Sequence, residues 1–293
     1  MSQSETISAP AGAGFAATPR AAGAVAAKKK PVAGPTPRWK KVLRGFAIPV
    51  ALLLLWSSAF RFGWVRTDFL APPEQVWDTF LRLSANGYLW ESLYASLRRD
   101  VIGFCIGSVI GLVVGVGMGF SRWIDRVVGP SFHTVKQVSL LAWIPLLSLW
   151  FGLGDPAKVA FLSLAAFFPT VLNTYEGIRS VPRELVEVAR VFDYSRWQLI
   201  RRVVLPAALP SILTGVQLAL MYSWIATLGA EYVLTSGVGI GNLMVDGREH
   251  FWFDQVILGV IVVGLVGFVL NTASQLAEKR LLGWRGTSIA KFS

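Results

Sequence analysis

Residues 101–120 read VIGFCIGSVIGLVVGVGMGF, a run of 20 residues without one charged side chain. At a helical rise of about 1.5 Å per residue, this run is long enough to cross the roughly 30 Å apolar core of a bilayer. The composition agrees, because 54% of the 293 residues are hydrophobic and only 15% are charged, against about 25% in soluble domains. The sequence therefore predicts an all-α, polytopic membrane protein.

Further apolar stretches flank this run on both sides. The predicted spans are residues 45–60, 101–120, 132–151, 159–178, 209–230 and 256–276. We therefore expect about six transmembrane helices within residues 38–286. Residues 1–37 are rich in Ala, Gly, Pro and Ser, a composition typical of a disordered tail, and residues 287–293 form a short C-terminal tail.

The positive charges predict the orientation of the chain. Lys and Arg outnumber Asp and Glu by 28 to 17, and they concentrate in the N-terminal tail, in residues 121–127 and 179–208, and at the C-terminus. The positive-inside rule then places both termini in the cytoplasm. Arg98 and Arg99 fall on the opposite side, so we expect an interfacial helix over Tyr88–Arg99 that precedes the second span.

A stripe of glycines follows one face of the second span. Gly103, Gly107, Gly111, Gly115 and Gly119 recur at every fourth position, which permits close helix–helix approach in lipid. Two interpretations remain open: tight packing within one chain, or a helix that slides against its neighbours during a conformational change.

The basic segment between the fourth and fifth spans predicts two short helices. Pro182 suits the first turn of one helix, and Ser195 with Gln198 forms a capping box for the next. We expect Pro206 and Pro210 to end the second helix. A DNA-reading helix-turn-helix is unsuitable because both ends are tethered to membrane spans, so the pair is interpreted as a docking element for a cytoplasmic protein.

The same segment resembles the EAA loop of ABC importer permeases. The matching residues are Glu187, Ala189, Leu205 and Pro206, while Asp193 stands where the family has glycine. Asp tolerates the left-handed conformation at a cost of about 1 kcal/mol, so we expect the turn to persist. The resemblance implies that these five residues, Asp193 included, couple the permease to its ATPase.

Four other stretches are similar to permeases for sulfonates, taurine, nitrate and related small anions. They are LAPPEQVW at 70–77, LLAWIPLLSLWFGLGDPAK at 140–158, RRVVLPAALPSILTGVQLAL at 201–220 and AEYVLTSGVGIGNLMVDGREHF at 230–251. The resemblance implies a type I importer permease in the bacterial inner membrane, a homodimer with two ATPase subunits and an extracytoplasmic solute-binding protein. The chain has no GxxxxGK[ST] loop, so ATP and Mg are expected on the partner ATPase, with no cofactor, metal or catalytic residue here.

An anion pathway needs hydrogen-bond donors, with or without a cation, that bind the solute without preventing its release. Lys136 is a cation within a predicted span, and two interpretations remain open: it faces protein or water in the pathway, or it snorkels to the cytoplasmic interface. The candidates for the pathway are Lys136, Trp143, Asn173, Gln217, Trp224 and Glu231. His133 is a further polar residue in the third span. The resemblance implies an aliphatic sulfonate or taurine as the solute, with nitrate, bicarbonate or a pyrimidine precursor as alternatives.

Two other classes of membrane protein lack their expected signals in this sequence. An ion-coupled secondary transporter needs inverted repeats and membrane-buried carboxylates, and neither is evident in the sequence. A membrane-embedded enzyme needs a catalytic set beside the spans, but no HExxH or GxSxG motif is present.

Overall fold

The computed structural model describes residues 70–282, together with residues 51, 53–58, 60 and 62. In this part of the chain every regular element is helical, and ten α-helices between residues 73 and 281 are numbered α1 to α10. Their bounds are α1 Pro73–Ala85, α2 Tyr88–Phe120, α3 Arg122–Val135, α4 Ile144–Phe151, α5 Asp155–Arg179, α6 Arg183–Val191, α7 Arg196–Leu199, α8 Leu205–Val233, α9 Ile240–Glu249 and α10 Phe253–Leu281. The predicted tails, 1–37 and 287–293, and most of the first predicted span lie outside the described residues.

Four of these helices are long and apolar enough to cross a membrane: α2, α5, α10, and α8 with the helical turns that precede it. They confirm the second, fourth, fifth and sixth predicted spans. We call the end of the bundle that carries Arg179 the coupling-loop end, and the opposite end, which carries Asp155, the distal end.

Helices α2 and α5 run parallel and are the most closely packed pair. A Cβ atom placed on Gly107 would lie 2.1 Å from the Ser163 carbonyl oxygen, and one on Gly119 would lie 2.9 Å from Ile178 Cβ. The other three glycines of the stripe face the same helix at comparable distances. The stripe therefore packs within one chain, as the first of the two interpretations states.

Helix α8 packs antiparallel to α5. Ser211 Oγ donates to the Asn173 carbonyl oxygen at 2.9 Å, and Gly215 lies against the Asn173 side chain, where a Cβ would approach Asn173 Cβ to 2.6 Å. The core of the bundle is therefore the three-helix unit of α2, α5 and α8.

The third predicted span is not one straight helix. Helix α3 and the segment Leu140–Phe151, which opens with a 3-10 turn over Leu140–Trp143, meet at an angle of 96°. Residues 136–139 between them are not helical, and Pro145 stands in the first turn of α4, where its missing N–H is not needed. The prediction of a continuous helix over 132–151 was therefore wrong.

Two other expectations were also wrong. Pro206 and Pro210 do not end the helix, because a π-helical segment over Ile200–Val204 leads directly into α8, with Pro206 in its first turn. The wider π turn accommodates a residue that lacks an N–H. The separate interfacial helix over Tyr88–Arg99 does not exist either, because these residues are the first turns of the continuous helix α2.

Candidate functional site

Helix α6 ends in a tight turn at Asp193. The Tyr194 N–H donates to the Ala189 carbonyl at 3.1 Å and the Asp193 N–H donates to the Arg190 carbonyl at 3.0 Å. This is the hydrogen-bond pattern of a Schellman motif, whose C′ residue is usually glycine in the left-handed region. Asp193 adopts that conformation with φ of 54°, so the turn is kept without the glycine.

The next helix begins with the predicted capping box. Ser195 Oγ accepts from the Gln198 N–H at 3.3 Å, and Gln198 Oε1 accepts from the Ser195 N–H at 2.9 Å. Two backbone donors that a helix start leaves unpaired are thereby satisfied. The chain reversal between α6 and α7 is consequently defined at both ends.

This helix pair exposes large apolar side chains. Val191 is 82% exposed and Phe192 72% exposed, and the others are Leu185, Val188 and Trp197. Exposed apolar patches of this kind mark interaction surfaces. Among the predicted coupling residues, Glu187, Asp193, Leu205 and Pro206 are exposed, whereas Ala189 is buried.

Two of the six pathway candidates lie together. Lys136 and Asn173 line one cavity of about 400 Å³ between the α3–α4 bend, α5 and α8, and Tyr222 lines it with them. The remaining lining side chains are apolar. A cavity of this size with few polar groups is typical of a site for a small molecule.

The other candidates lie elsewhere. Gln217 donates to Asn271 Oδ1 at 3.3 Å, and Trp224 Nε1 donates to the Val263 carbonyl at 3.1 Å. Both contacts join α8 to α10. Trp143 lines a separate, almost wholly apolar cavity of about 590 Å³ against α2 and α5.

Glu231, the last candidate, is buried at the distal end in an ion pair. Arg99 Nη2 donates to Glu231 Oε1 at 2.5 Å and to the Val238 carbonyl at 2.7 Å, and Arg99 Nη1 donates to Asp155 Oδ1 at 2.8 Å. The Glu231 side chain is 1% exposed and the Arg99 side chain 5%. Helices α2, α5 and α8 are therefore tied together through one guanidinium.

The second Glu231 oxygen orients the start of α9. It accepts from the Gly241 N–H at 2.8 Å, while the Ser96 hydroxyl donates to the same carboxylate and accepts from the Ile240 N–H at 2.9 Å. A negative charge at these backbone N–H groups is favourable because they lie at a helix N-terminus.

Lys158 fixes the loop before α9 from the other side. Its ammonium donates to the Ser236 carbonyl at 2.5 Å and to Asn242 Oδ1 at 3.3 Å, and Asn242 Nδ2 donates to the Thr235 carbonyl at 2.6 Å. We call Ser96, Arg99, Lys158, Glu231 and Asn242 the distal cluster. Its two cations and its carboxylate hold residues 234–239 against the bundle.

Sequence reasoning missed most of this cluster. Arg99 drew attention only through its discordant charge, and Lys158 lies just before the fourth predicted span, residues 159–178. A useful signal was present, because two charged residues, Arg99 and Asp100, come just before a 20-residue uncharged run, while an acid, Glu231, follows another apolar span. Charges at such positions are costly in lipid unless they pair.

Comparisons with known proteins agree with this architecture. Residues 107–283 match the family described as binding-protein-dependent transport system inner membrane component. A putative aliphatic sulfonates transport permease protein, SsuC, of Escherichia coli is 40% identical over 86% of this chain and 96% of its own length. A bicarbonate transport system permease protein, CmpB, of Synechococcus elongatus is 32% identical over 80% and 88%.

Solved structures share the fold. A crystal structure of an amino acid ABC transporter with histidines matches with a TM-score of 0.58 at 17% identity, over 69% of this chain and 97% of that one. The inward-facing MetNI methionine ABC transporter matches with a TM-score of 0.56 at 18% identity, over 66% and 95%. The chain therefore belongs to the family of binding-protein-dependent transport system inner membrane components, the membrane-spanning permeases of ABC importers.

Proposed function

We propose that this permease forms the translocation pathway for a small organic anion, an aliphatic sulfonate or taurine. The observation that carries the proposal is the 40% identity to a putative aliphatic sulfonates permease across 96% of that protein. A taurine transport system permease protein of Escherichia coli, TauC, is 29% identical over 93% of its length, which supports the same solute class.

Bicarbonate is the second candidate, because the Synechococcus permease named for it is 32% identical. Nitrate and a pyrimidine precursor remain further alternatives within the same transporter class. Membership of the family makes ATP the energy source, so an ion-coupled secondary transporter is no longer a competing explanation.

As a member of this family, the chain is a non-catalytic, multi-pass subunit of the inner membrane, and a separate ATPase subunit hydrolyses ATP. An ATPase and a solute-binding protein are its partners. We further propose that two copies of the chain form one pathway and that both termini are cytoplasmic. Two ATPase subunits would bind the cytoplasmic side of this dimer, and they would hold the ATP and Mg.

The α6–α7 pair is the proposed ATPase contact. Its exposed apolar side chains, led by Val191 and Phe192, suit insertion into a groove of a partner. Three residues, 180–182, separate α5 from α6, so a displacement of the docked pair is passed directly to a membrane helix. Glu187, Ala189, Asp193, Leu205 and Pro206 are the residues that we propose for this coupling.

Coupling is tested with the double variant Glu187→Arg/Ala189→Asp. We expect ATP-driven uptake to be abolished while membrane insertion is retained, because Glu187→Arg changes the exposed surface of α6, Ala189→Asp disturbs its buried side, and neither residue lies in a membrane span. Arg280→Ala, in the last turn of α10, is the control. Unchanged uptake by the double variant would remove the loop from the coupling mechanism.

The solute is tested by reconstituting the permease with its ATPase and binding protein in proteoliposomes. We expect uptake of radiolabelled taurine or ethanesulfonate that depends on ATP and on the binding protein. Saturable uptake of bicarbonate without uptake of any sulfonate would contradict the sulfonate assignment and favour the second candidate.

A further inference from the structure

The cavity that contains Lys136 lies level with the middle of the membrane-spanning helix α5. The Phe132 ring packs against the rings of Phe167 and Phe168 at centroid distances of 6.2 and 5.9 Å. Phe167 is the central residue of α5, which runs from Asp155 to Arg179. The Lys136 N–H donates to the Phe132 carbonyl at 2.9 Å, so Lys136 lies within about one helical turn of that level.

A lysine at this depth needs a polar surrounding. An ammonium in the hydrocarbon core is costly, and intramembrane cations therefore face water, a protein partner or a pathway. Within the described residues the Lys136 side chain makes no ion pair or hydrogen bond, and none of the residues lining its cavity is acidic. In this part of the chain, nothing neutralises the charge of Lys136.

Two uncharged polar groups flank the ammonium. Asn173 donates one hydrogen bond to the Pro169 carbonyl at 2.9 Å, which leaves the rest of its amide for another partner. The Tyr222 side chain is 56% exposed, and its hydroxyl has no hydrogen bond to the described residues. The cavity thus offers one cation with an amide and a phenol beside it.

The remaining wall is apolar. Val138, Leu140, Ala165, Phe168, Leu172 and Leu218 line it. A small hydrated anion such as bicarbonate gains nothing from such a wall, whereas an alkyl chain is stabilised by leaving water. A single cation also binds an anion weakly enough for release in a transport cycle.

Resting on the proposed function, we infer that this cavity is the permease's own binding site for an alkanesulfonate. Lys136 receives the sulfonate head group, with Tyr222 and Asn173 as hydrogen-bond donors. The apolar wall of Phe168, Leu172 and Leu218 receives the alkyl chain. The site therefore selects a head group and a tail together, after the binding protein has delivered the solute.

The head-group arm of the test compares Lys136→Met with Lys136→Arg in the reconstituted transporter. We expect Lys136→Met to lower kcat/KM for ethanesulfonate uptake about tenfold or more, as loss of a charge-assisted hydrogen bond implies, and Lys136→Arg to restore most of it. Lys279→Met is the matched control, because Lys279 is exposed in the last turn of α10 and does not line the cavity. Stimulation of ATP hydrolysis by the loaded binding protein should persist in all three, since none alters the coupling loop.

The tail arm uses Leu218→Trp, which fills part of the apolar wall. We expect uptake of hexanesulfonate to fall at least about fivefold more than uptake of ethanesulfonate, because only the longer chain needs the filled space. Binding-protein affinity for both solutes is measured separately, so that the difference is assigned to the permease.

The outcomes separate the two proposals. If the wild-type transporter takes up alkanesulfonates but Lys136→Met matches Lys279→Met, the site is overturned and the proposed function stands. If the wild type takes up no alkanesulfonate, the proposed function fails and the ligand assigned to this site fails with it. Equal loss of both solutes in Leu218→Trp, with ATPase stimulation intact, would overturn the tail contact.

Discussion

Removal of the guanidinium from the distal cluster should destabilise the permease more than any surface change of charge. In Arg99→Met, Glu231 stays buried at 1% side-chain exposure and keeps its hydrogen bonds to the Ser96 hydroxyl and the Gly241 N–H, both at 2.8 Å. It loses the cation that contacts it directly, and Lys158 is then the remaining cation of the distal cluster. Breaking a buried pair on one side typically costs about 3–5 kcal/mol.

The second carboxylate provides the matched control. Asp155 contacts the same guanidinium at 2.8 Å, but its side chain is 57% exposed. Solvent screens such a contact, so Asp155→Asn should lower the free energy of unfolding by less than about 1 kcal/mol. The contrast between Arg99→Met and Asp155→Asn tests the effect of burial, because the first leaves a buried carboxylate without its contacting cation and the second removes only the exposed carboxylate from the same guanidinium.

Thermal unfolding of the purified complex in detergent measures the effect. At about 2–4 °C per kcal/mol for a chain of this size, Arg99→Met should lower Tm by about 6 °C or more, and Asp155→Asn by less than about 4 °C. The double variant Arg99→Met/Glu231→Met should be less damaging than the sum of its two single variants, because neither member of the buried Arg99–Glu231 pair is left charged without the other. Equal Tm values for Arg99→Met and Asp155→Asn, or strict additivity in the double variant, would refute this reasoning.

The remaining predictions concern packing and the coupling turn. Gly107→Ala should lower the free energy of unfolding by about 1–3 kcal/mol, because the added Cβ would lie 2.1 Å from the Ser163 carbonyl oxygen. The control Gly264→Ala should not lower Tm, because nothing lies within 4 Å of its added Cβ. Equal Tm changes in the two variants would contradict the close contact. Asp193→Gly should raise stability by about 1 kcal/mol, since glycine accepts φ of 54° without strain, and a lower Tm would argue that the Asp side chain stabilises the turn. Trp224→Phe should lower the free energy of unfolding by about 1 kcal/mol, because it removes the hydrogen bond to the Val263 carbonyl. Tm should fall by a few degrees, and an unchanged Tm would exclude that bond as a stabilising contact.

Local signals in the sequence predicted local structure well. Ser195 and Gln198 predicted a helix start because a capping box needs only residues three apart, and the structure contains both of its hydrogen bonds. Uncharged runs predicted α2, α5, α8 and α10 for a similar reason, since burial in lipid requires a continuous apolar segment.

The failures arose where distant residues or backbone adjustments decide the structure. The bend after Lys136 lies inside a run whose average polarity is low, so length and hydropathy did not reveal it. Pro206 looked like a stop because sequence rules do not include a π turn. Arg99 and Glu231 are 132 positions apart, and only the packing of α2 against α8 brings them together.

The glycine contacts between α2 and α5 have a mechanical consequence. With carbonyl groups and side chains seated against bare Cα atoms, these two helices have little space to shift along each other, so we expect them to move together. Helix α5 has 25 residues, a length of about 37 Å, and it joins the coupling loop at Arg179 to the distal cluster at Lys158. Under the proposed coupling, a displacement of the α6–α7 pair would therefore be carried along α5 to the distal cluster, whereas residues 136–139 interrupt the helical structure between α3 and α4.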